Sequence, residues 1–189
     1  MRGSFPAHES MPGNSGGKKA LVVKLMRNLR VTAMAPTGTI SLVAGTTSGI
    51  EPIFAVSYIR EVLDGTKLLE AHPIFERMAR EKGWHSKDLI LKVAHTGSVK
   101  KVREVPPVMR KLFVTAHEVS AEWHVKIQAA FQKHTDLGVS KTVNLSATAK
   151  IEDVERVFIL AHALGCKGIT AYRYNSQMNQ VLTLGLDEK

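Results

Sequence analysis

An alternation of helical and strand patterns is the feature that most restricts how this chain can fold. Apolar and polar residues alternate in GVSKTVNL, residues 138–145, which predicts a strand with Lys141 at its edge or rim. A helix that Thr148 can cap and Gly165 can end follows, and CKGITAYRY, residues 166–174, predicts a second strand. The buried face predicted for that helix consists of Ile151, Val154, Phe158 and Ala161.

Helical patterns also occupy the middle of the chain. Residues 67–83 have apolar positions near helical spacing, with Pro73 opening the main helix and Gly83 ending it. Ser86 and Ser120 precede further helical patterns and are predicted to be N-caps. Helices therefore alternate with short strands over most of the chain, which predicts an α/β fold with helix as the larger share.

Two of these helices are predicted to be amphipathic core helices between residues 106 and 131. The first has its apolar stripe at Val108, Leu112, Ala116 and Val119, with Met109 and Phe113 alongside. The second has its stripe at Trp123, Ile127, Ala130 and Phe131. Core packing explains the aromatic residues of the second stripe better than a nucleic-acid recognition helix does.

Length and composition fit one domain of a soluble globular protein. The chain has 189 residues, of which 44% are hydrophobic and 23% charged. It has no apolar run of about 18 residues that would span a bilayer, and no apolar signal-peptide core near Met1. Cys166 is the single cysteine, which excludes an intramolecular disulfide and favours the cytoplasm.

The charge balance leaves a nucleic-acid partner open. Lysine and arginine exceed the acidic residues by nine, and a basic chain attracts polyanions. The densest basic cluster, VKKVR at residues 99–103, has no interleaved aromatic residues of the kind that bind single strands. A solvated basic face is therefore the favoured interpretation, and a basic α/β nucleic-acid-binding module is the alternative.

The stretch MAPTGTISLVAG, residues 34–45, places a proline, small hydroxyl residues and a glycine between two apolar runs. Residues 29–34 predict a strand that Pro36 ends, and residues 37–39 predict a tight turn. The segment ISLVAG then continues as a helical turn or a strand. A helix beginning near Thr39 would leave amides free for an anion, but from spacing alone ordinary turn chemistry is favoured over a phosphate cradle.

A family resemblance changes that balance. Residues 27–65, with the strings PTGTI and SGIEP, and residues 114–174, with SKTVNL and GITAYRY, closely resemble the C-terminal part of the vitamin B12-dependent (class II) ribonucleotide reductases. The resemblance implies part of a ten-stranded α/β barrel of two antiparallel half-sheets. It also implies that the PTGTI segment is a substrate-phosphate loop, formed by Pro36, Thr37, Gly38, Thr39 and Ile40.

The same resemblance implies adenosylcobalamin as the cofactor, which generates a thiyl radical on a cysteine, and a ribonucleoside di- or triphosphate as the substrate. The family's Asn-x-Cys-x-Glu motif is absent from this chain, and Cys166 stands in a different context, so it is assigned no catalytic role. The chain is therefore expected to be inactive alone and to need the N-terminal part of a reductase, with self-association as the alternative.

The remaining expectations concern domain limits and other candidate sites. Residues 1–26 are expected to be a flexible or loop-like segment, residues 27–177 the barrel portion and residues 178–189 a tail. The eight histidines suggest no metal site, because HEVSA at residues 117–121 lacks the second histidine of a zinc-protease motif. Glu51 of SGIEP is expected to have a structural role, and an inactive remnant is a third possibility.

Overall fold

The computed structural model describes residues 30–61 and 67–176 of the chain. The predicted N-terminal segment 1–26, the tail 178–189 and the first residue of the strand predicted at 29–34 lie outside the described residues. Helices outweigh strands in the described part, as the sequence predicts. In chain order the elements are α1 Gly38–Ala44, β1 Ser57–Glu61, β2 Lys67–Ala71, α2 Pro73–Glu81, α3 Lys87–Thr96, α4 Pro107–Leu112, α5 Ala121–Gln132, β3 Thr142–Leu145, α6 Ile151–Ala163 and β4 Thr170–Arg173.

Strands β1 and β2 form an antiparallel pair that leads into α2. Ser57 lies opposite Ala71, so the first residues of the predicted 67–83 helix are in fact a strand. The prediction that Pro73 opens the main helix is confirmed, since α2 begins at this residue. Proline has no amide hydrogen to continue the strand ladder, so the strand ends before it. Gly83, just past the end of α2, has a φ of 73°, which suits glycine at a helix end.

A first hydrophobic core lies among α2, α3, α4 and this hairpin. Phe75 is fully buried there and meets the rings of Trp84 and Phe113 edge-on, with centroids 5.4 and 5.1 Å away. Ser86 caps α3 as predicted, and its Oγ accepts the amide hydrogen of Leu89 at 3.1 Å. The other buried members of this core are Val56, Leu89, Ile90, Val93, Val99, Val102, Val105 and Met109.

The predicted stripe of α4 is wrong. The helix ends at Leu112, and Val108 and Leu112 point to solvent, whereas Met109 and Phe113 enter the first core. Consecutive prolines at 106 and 107 fix where the helix starts. Because the helix has only six residues, Ala116 and Val119 do not continue its stripe.

Strand β3, helix α6 and strand β4 form a β-α-β unit with parallel strands, in the register Thr142 opposite Thr170. Val143 and Leu145 turn one face of β3 toward α5 and α6, as the alternation predicts. This second core also contains Val125, Val157 and Ala161. The described strands therefore form one antiparallel and one parallel pair, and do not by themselves show the ten-stranded barrel.

Helix α6 begins later than predicted, and half of its predicted buried face is exposed. Lys150, rather than Thr148, is the N-cap residue, and its amide donates to the Asp153 carboxylate at 2.9 Å. Ile151 and Phe158 face solvent in the described part of the chain. Val157 and Ala161 are buried instead, so the face that meets the sheet is narrower than the apolar pattern suggests.

The predicted strand at residues 29–34 is reduced to a single parallel bridge between Met34 and Val139. The Asp136 carboxylate explains this, because it accepts the amide hydrogens of Val31 and Thr32 at 3.0 and 3.2 Å. A side chain therefore takes these two amides of the segment, while the backbone pairing begins where the Leu137 amide donates to the Thr32 carbonyl at 3.0 Å. The segment still runs beside the chain that leads into β3, since the Ser140 amide donates to the Met34 carbonyl at 2.9 Å.

Helix α5 is capped by Ser120 as predicted, but the face that it buries is not the predicted aromatic stripe. Trp123 is 59% exposed and Phe131 44% exposed, so the predicted packing of the aromatic stripe in the core is wrong. Gln128 is fully buried and its Nε2 donates to the carbonyls of Val139 and Gly168, at 3.0 and 2.6 Å. The residues that α5 buries are His124, Val125, Gln128, Ala129 and Gln132.

In the part of the chain that the structure describes, no helix is long and apolar enough to cross a membrane.

Candidate functional site

The five residues predicted to bind phosphate lie together at the start of α1. The structure decides the choice left open by the sequence, because the segment after the turn is a helix that begins at Gly38. The turn itself lies at Thr37, whose φ of 52° is unusual for a residue with a branched side chain. The first helical hydrogen bond runs from the Ser41 amide to the Thr37 carbonyl at 3.0 Å.

Three amides at this turn have no partner in the described part of the chain. The N–H groups of Gly38, Thr39 and Ile40 precede the first helical bond, and none donates to an acceptor among the described residues. The Ser41 side chain does not cap them, since its Oγ donates to the Gly38 carbonyl at 2.7 Å.

The loop is also open on its outer side. Residues 36–40 are all exposed, and a Cβ built on Gly38 would meet no atom within 4 Å. An anion can therefore approach the three amides without displacing a described side chain. We call residues 36–40 the phosphate loop below, after the role that the sequence predicts for it.

A second segment, residues 48–51, holds the phosphate loop from behind, and we call it the strap. The Gly49 amide donates to Thr37 Oγ1 at 3.0 Å, and the Glu51 amide closes a turn onto the Ser48 carbonyl at 3.1 Å. Gly49 has a φ of 50°, and an added Cβ would lie 3.2 Å from the Ala35 carbonyl oxygen. The strap thus approaches the loop more closely than a larger residue allows.

Glu51 connects the strap to β3. Its Oε2 accepts from Lys141 Nζ at 2.6 Å, and its Oε1 accepts the Thr142 amide hydrogen at 2.5 Å. The expectation that Glu51 is structural agrees with these contacts. The expectation that Lys141 lies at a rim is wrong, because its side chain is completely inaccessible to solvent.

The Lys141 ammonium has an acceptor for each of its three hydrogens. These acceptors are Glu51 Oε2, the Thr142 carbonyl and Nδ1 of His124, the last at 2.8 Å. Desolvation lowers the pKa of Lys141, and the hydrogen bond and charge of Glu51 oppose that shift. A buried ammonium is tolerated only when it is paired and fully hydrogen-bonded, and this arrangement meets that condition.

His124 is fixed in one tautomer by its two neighbours. Nε2 lies 2.9 Å from the Ala116 carbonyl and must donate to it, which leaves Nδ1 as the acceptor for Lys141. Burial, followed by the charge of Lys141, lowers the pKa of His124. The neutral ring therefore matches its surroundings. The pairing of Lys141 with His124 cannot be recognised in the sequence, because neither residue belongs to a motif that predicts a buried polar cluster.

The other candidate residues lie elsewhere. Cys166 is half-buried against the second core, and burial raises the pKa of its thiol, which disfavours the reactive thiolate. His117 lies edge-on to Phe54 and Tyr174 rather than in a helix beside His124. Among the described residues, no three histidine, cysteine or acidic side chains are placed to hold a metal ion.

The VKKVR cluster is a turn anchored by its apolar residues. Val99 and Val102 are buried in the first core, while the three basic residues of the cluster face solvent. This arrangement matches the solvated basic face that the sequence analysis favours.

Residues 18–172 match the family model for the ribonucleotide reductase barrel domain. The chain belongs to the ribonucleotide reductase barrel family. The chain is also similar in amino-acid sequence to curated reductases. The chain is 47% identical to the vitamin B12-dependent ribonucleoside-diphosphate reductase of Thermoplasma acidophilum, over 99% of this chain and 23% of the relative. The enzyme of the same name from Mycobacterium tuberculosis is 45% identical over 96% of this chain and 25% of the relative.

A solved structure supports the fold of the reductase family. The class Id ribonucleotide reductase alpha subunit of Actinobacillus ureae aligns with a TM-score of 0.68 and 22% sequence identity, over 79% of this chain and 27% of that chain. The chain thus spans about a quarter of the length of the curated relatives and of the solved structure that it matches.

Proposed function

We propose that this chain is part of a vitamin B12-dependent ribonucleoside-diphosphate reductase, in which it contributes the loop that binds the substrate's phosphates. The observation that carries the proposal is the 47% identity over nearly the whole chain to a reductase of that name. In such an enzyme the chain would supply some strands and helices of the ten-stranded barrel. The single cysteine fits a reducing compartment such as the cytoplasm.

The geometry of the phosphate loop supports this role. Three adjacent amides at Gly38, Thr39 and Ile40 are exposed and unpaired among the described residues. Backbone amides at the start of a helix attract anions, and the helix dipole adds about 0.3 to 1 kcal/mol. The loop would bind and orient the nucleotide, so that its ribose is held for reaction. None of its residues is required to transfer a proton.

Adenosylcobalamin is the cofactor that the names of the relatives imply. Both ring nitrogens of His124, the most buried of the described histidines, are taken up by hydrogen bonds, so this ring is not free to bind cobalt. We therefore assign no cofactor contact to the described residues. In the complete reductase the cofactor would supply the radical, and this chain would supply substrate binding.

The chain needs a partner for catalysis. The sequence lacks the radical-cysteine motif, and Cys166 is a half-buried thiol packed beside a core. We propose that the rest of the reductase packs on the apolar faces that α5 and α6 leave exposed, including Trp123, Phe131 and Phe158. We expect no turnover from this chain alone.

A glycine substitution tests the loop assignment. The purified chain, alone and with the remainder of a reductase supplied, is titrated with ADP and ATP by calorimetry. Gly38→Val should weaken binding about tenfold or more, because the new side chain would occupy the approach to the amides and remove several hydrogen bonds of about 1 kcal/mol each. Unfolding should change little, since a Cβ at Gly38 meets no atom.

Gly168→Val is the matched control, because a Cβ there also meets no atom within 4 Å and Gly168 lies outside the phosphate loop. It should leave nucleotide affinity unchanged. Absence of binding in the reconstituted protein, or equal affinities for wild type and Gly38→Val, would contradict the loop assignment.

The nucleic-acid alternative makes a different prediction. Binding to DNA or RNA through the exposed basic residues should weaken steeply as salt concentration rises and should not depend on Gly38. A salt titration with duplex and single-stranded oligonucleotides separates the two functions, and no oligonucleotide binding at low salt would exclude the alternative.

A further inference from the structure

The buried cluster behind the phosphate loop has more polar contacts than packing requires. Lys141 has no solvent-accessible side-chain surface, yet it carries an ammonium that contacts a carboxylate, a ring nitrogen and a carbonyl. Replacing a buried ion pair by apolar residues of similar volume is often neutral or stabilising. Stability alone therefore does not explain a lysine at this position. The three hydrogen bonds of its ammonium need a further explanation.

The contacts lead directly to the phosphate loop. Both carboxylate oxygens of Glu51 are engaged, one by Lys141 and the other by the Thr142 amide, across 90 and 91 residues of sequence. Glu51 is therefore fixed to the start of β3. Two residues earlier in the strap, the Gly49 amide holds Thr37 Oγ1, so this fixed point lies next to the contact that holds the loop.

The loop has few other restraints on this side. Thr37 adopts a positive φ and residues 36–40 are exposed, so neighbouring side chains do not enclose the turn. There is little room between Gly49 and the Ala35 carbonyl, since a Cβ added at Gly49 would lie 3.2 Å from that oxygen, so the strap lies against the residues just before the turn. The direction of the three free amides therefore depends on where the strap lies.

We propose that Lys141 and Glu51 are positioning residues for the phosphate loop: the ion pair fixes the strap, and the strap sets the direction of the amides at 38–40. His124 completes the arrangement, because its Nδ1 accepts from Lys141 while Ala116 holds its other nitrogen. The inference rests on the proposed function for its effect on nucleotide binding. Its structural part concerns the ligand-free protein and is tested separately.

The first test reads the loop without any ligand. Glu51→Gln keeps the size of the side chain but leaves one acceptor oxygen for two donors, Lys141 and the Thr142 amide. In ¹⁵N–¹H spectra of the 189-residue chain, the amide signals of Gly38, Thr39, Ile40 and Gly49 should shift or broaden. Glu104→Gln is the control, because it removes the carboxylate of an exposed pair with Lys92 outside the strap. It should leave those four signals unchanged.

The second test measures nucleotide affinity. Glu51→Gln should raise the dissociation constant for ADP roughly two- to tenfold, the effect of about one displaced hydrogen bond. Lys141→Met should have a similar effect. The double variant should bind ADP no more weakly than the weaker-binding single variant does, because both changes break the same ion pair. Glutamine matches glutamate in size, so the Glu51→Gln spectrum decides the question even if Lys141→Met does not fold.

The two proposals fail in different ways. If wild type binds no ADP, the proposed function fails, while the ligand-free spectra still report whether the pair positions the loop. If Glu51→Gln lowers the unfolding temperature but leaves the four loop signals and the ADP affinity at wild-type values, the pair only stabilises the fold and the inference is overturned.

Discussion

At the residue scale, three buried or half-buried histidines should make the folded protein less stable in acid. Burial is the main reason that the pKa of His72, His117 and His124 is lower than the ordinary value of 6.5. Below pH 6.5 the unfolded chain therefore binds more protons than the folded chain does. The free energy of unfolding should fall as the pH drops through 6.5 and continue to fall until the folded-state pKa values are reached.

This pH dependence gives a prediction for His124. His124→Gln keeps a donor for the Ala116 carbonyl but cannot titrate, so the slope of unfolding free energy against pH should be shallower just below pH 6.5. The slope should decrease by at most about 1.4 kcal/mol per pH unit, the share of one proton. Urea unfolding at several pH values measures it, and an unchanged slope would show that His124 protonates equally in both states.

Gly49 gives a second prediction at the same scale. Gly49→Ala should lower the free energy of unfolding by about 1 kcal/mol or more, because alanine is strained at a φ of 50° and its Cβ meets the Ala35 carbonyl. It should also weaken ADP binding by displacing the strap. Gly83→Ala has the same type of strain at a φ of 73° but meets no atom, so it should reduce stability alone. Equal ADP affinities for both variants would contradict the role of the strap.

The structural role of a side chain can be predicted from the sequence at some positions and not at others. The turn at residues 36–40 is identifiable because proline, glycine and small hydroxyl residues have strong local preferences in turns, whereas its proposed phosphate role comes from the family resemblance. The burial of Lys141 is not identifiable in this way, because alternation places it on the apolar face with Val143 and Leu145, but its charge favours a rim position, and its partner Glu51 lies 90 residues away. Long-range pairing of charges leaves no local signal in one sequence.

At the element scale, side-chain caps fix where two helices start. The Oγ of Ser86 accepts the Leu89 amide at 3.1 Å, and the Oγ of Ser120 accepts the Trp123 amide at a longer 3.4 Å. Helix α3 also contributes Leu89, Ile90 and Val93 to the first core. The start of α3 is therefore tied to the packing of that core.

Removing the cap of α3 should reduce stability. Ser86→Ala should lower the free energy of unfolding by about 1 kcal/mol, whereas Ser86→Asp should retain most of it, because aspartate also caps helices. Ser120→Ala should have a smaller effect, given its longer hydrogen bond. Urea denaturation of the three variants measures the differences, and an equal loss in Ser86→Asp and Ser86→Ala would contradict the capping explanation.

Helix boundaries followed from the sequence better than helix faces did. Pro73, Ser86 and Ser120 mark helix starts through local chemistry, and each lies where the sequence predicts. The prediction for the buried face of α5 was wrong because the face that is buried carries Gln128 and Gln132, whose side-chain amides donate to loop carbonyls. Glutamines count as exposed residues in a hydrophobic pattern, so the pattern of α5 places the aromatic face in the core.

At the scale of the whole molecule, two cores coexist with large exposed apolar side chains. Several of these lie on the outer faces of α5 and α6, where Trp123, Phe131, Phe158 and Ile159 are 44 to 62% exposed. Scattered exposed apolar residues are normal, but four large ones on two helices that pack against each other favour an interface. The family fold followed from the sequence resemblance, whereas the extent of this surface required the structure.

These exposed apolar side chains predict self-association of the isolated chain. Phe131→Ser combined with Phe158→Ser should lower the weight-average mass measured by sedimentation at high protein concentration, with a smaller loss of unfolding free energy than at a fully buried ring, because both residues are about half exposed. Glu155→Ser, also on an exposed position of α6, is the control and should leave the mass unchanged. A monomeric wild type at all concentrations would contradict this prediction.

The contacts that join residues 32–51 to residues 136–142 also imply an order of events during folding. The first core forms among elements close in sequence, whereas Asp136 with Thr32 and Lys141 with Glu51 must close loops of 104 and 90 residues. Long-range contacts of this kind form slowly. We therefore expect the turn proposed to bind the nucleotide to be the last part to mature, in which case a half-assembled chain would not capture substrate prematurely.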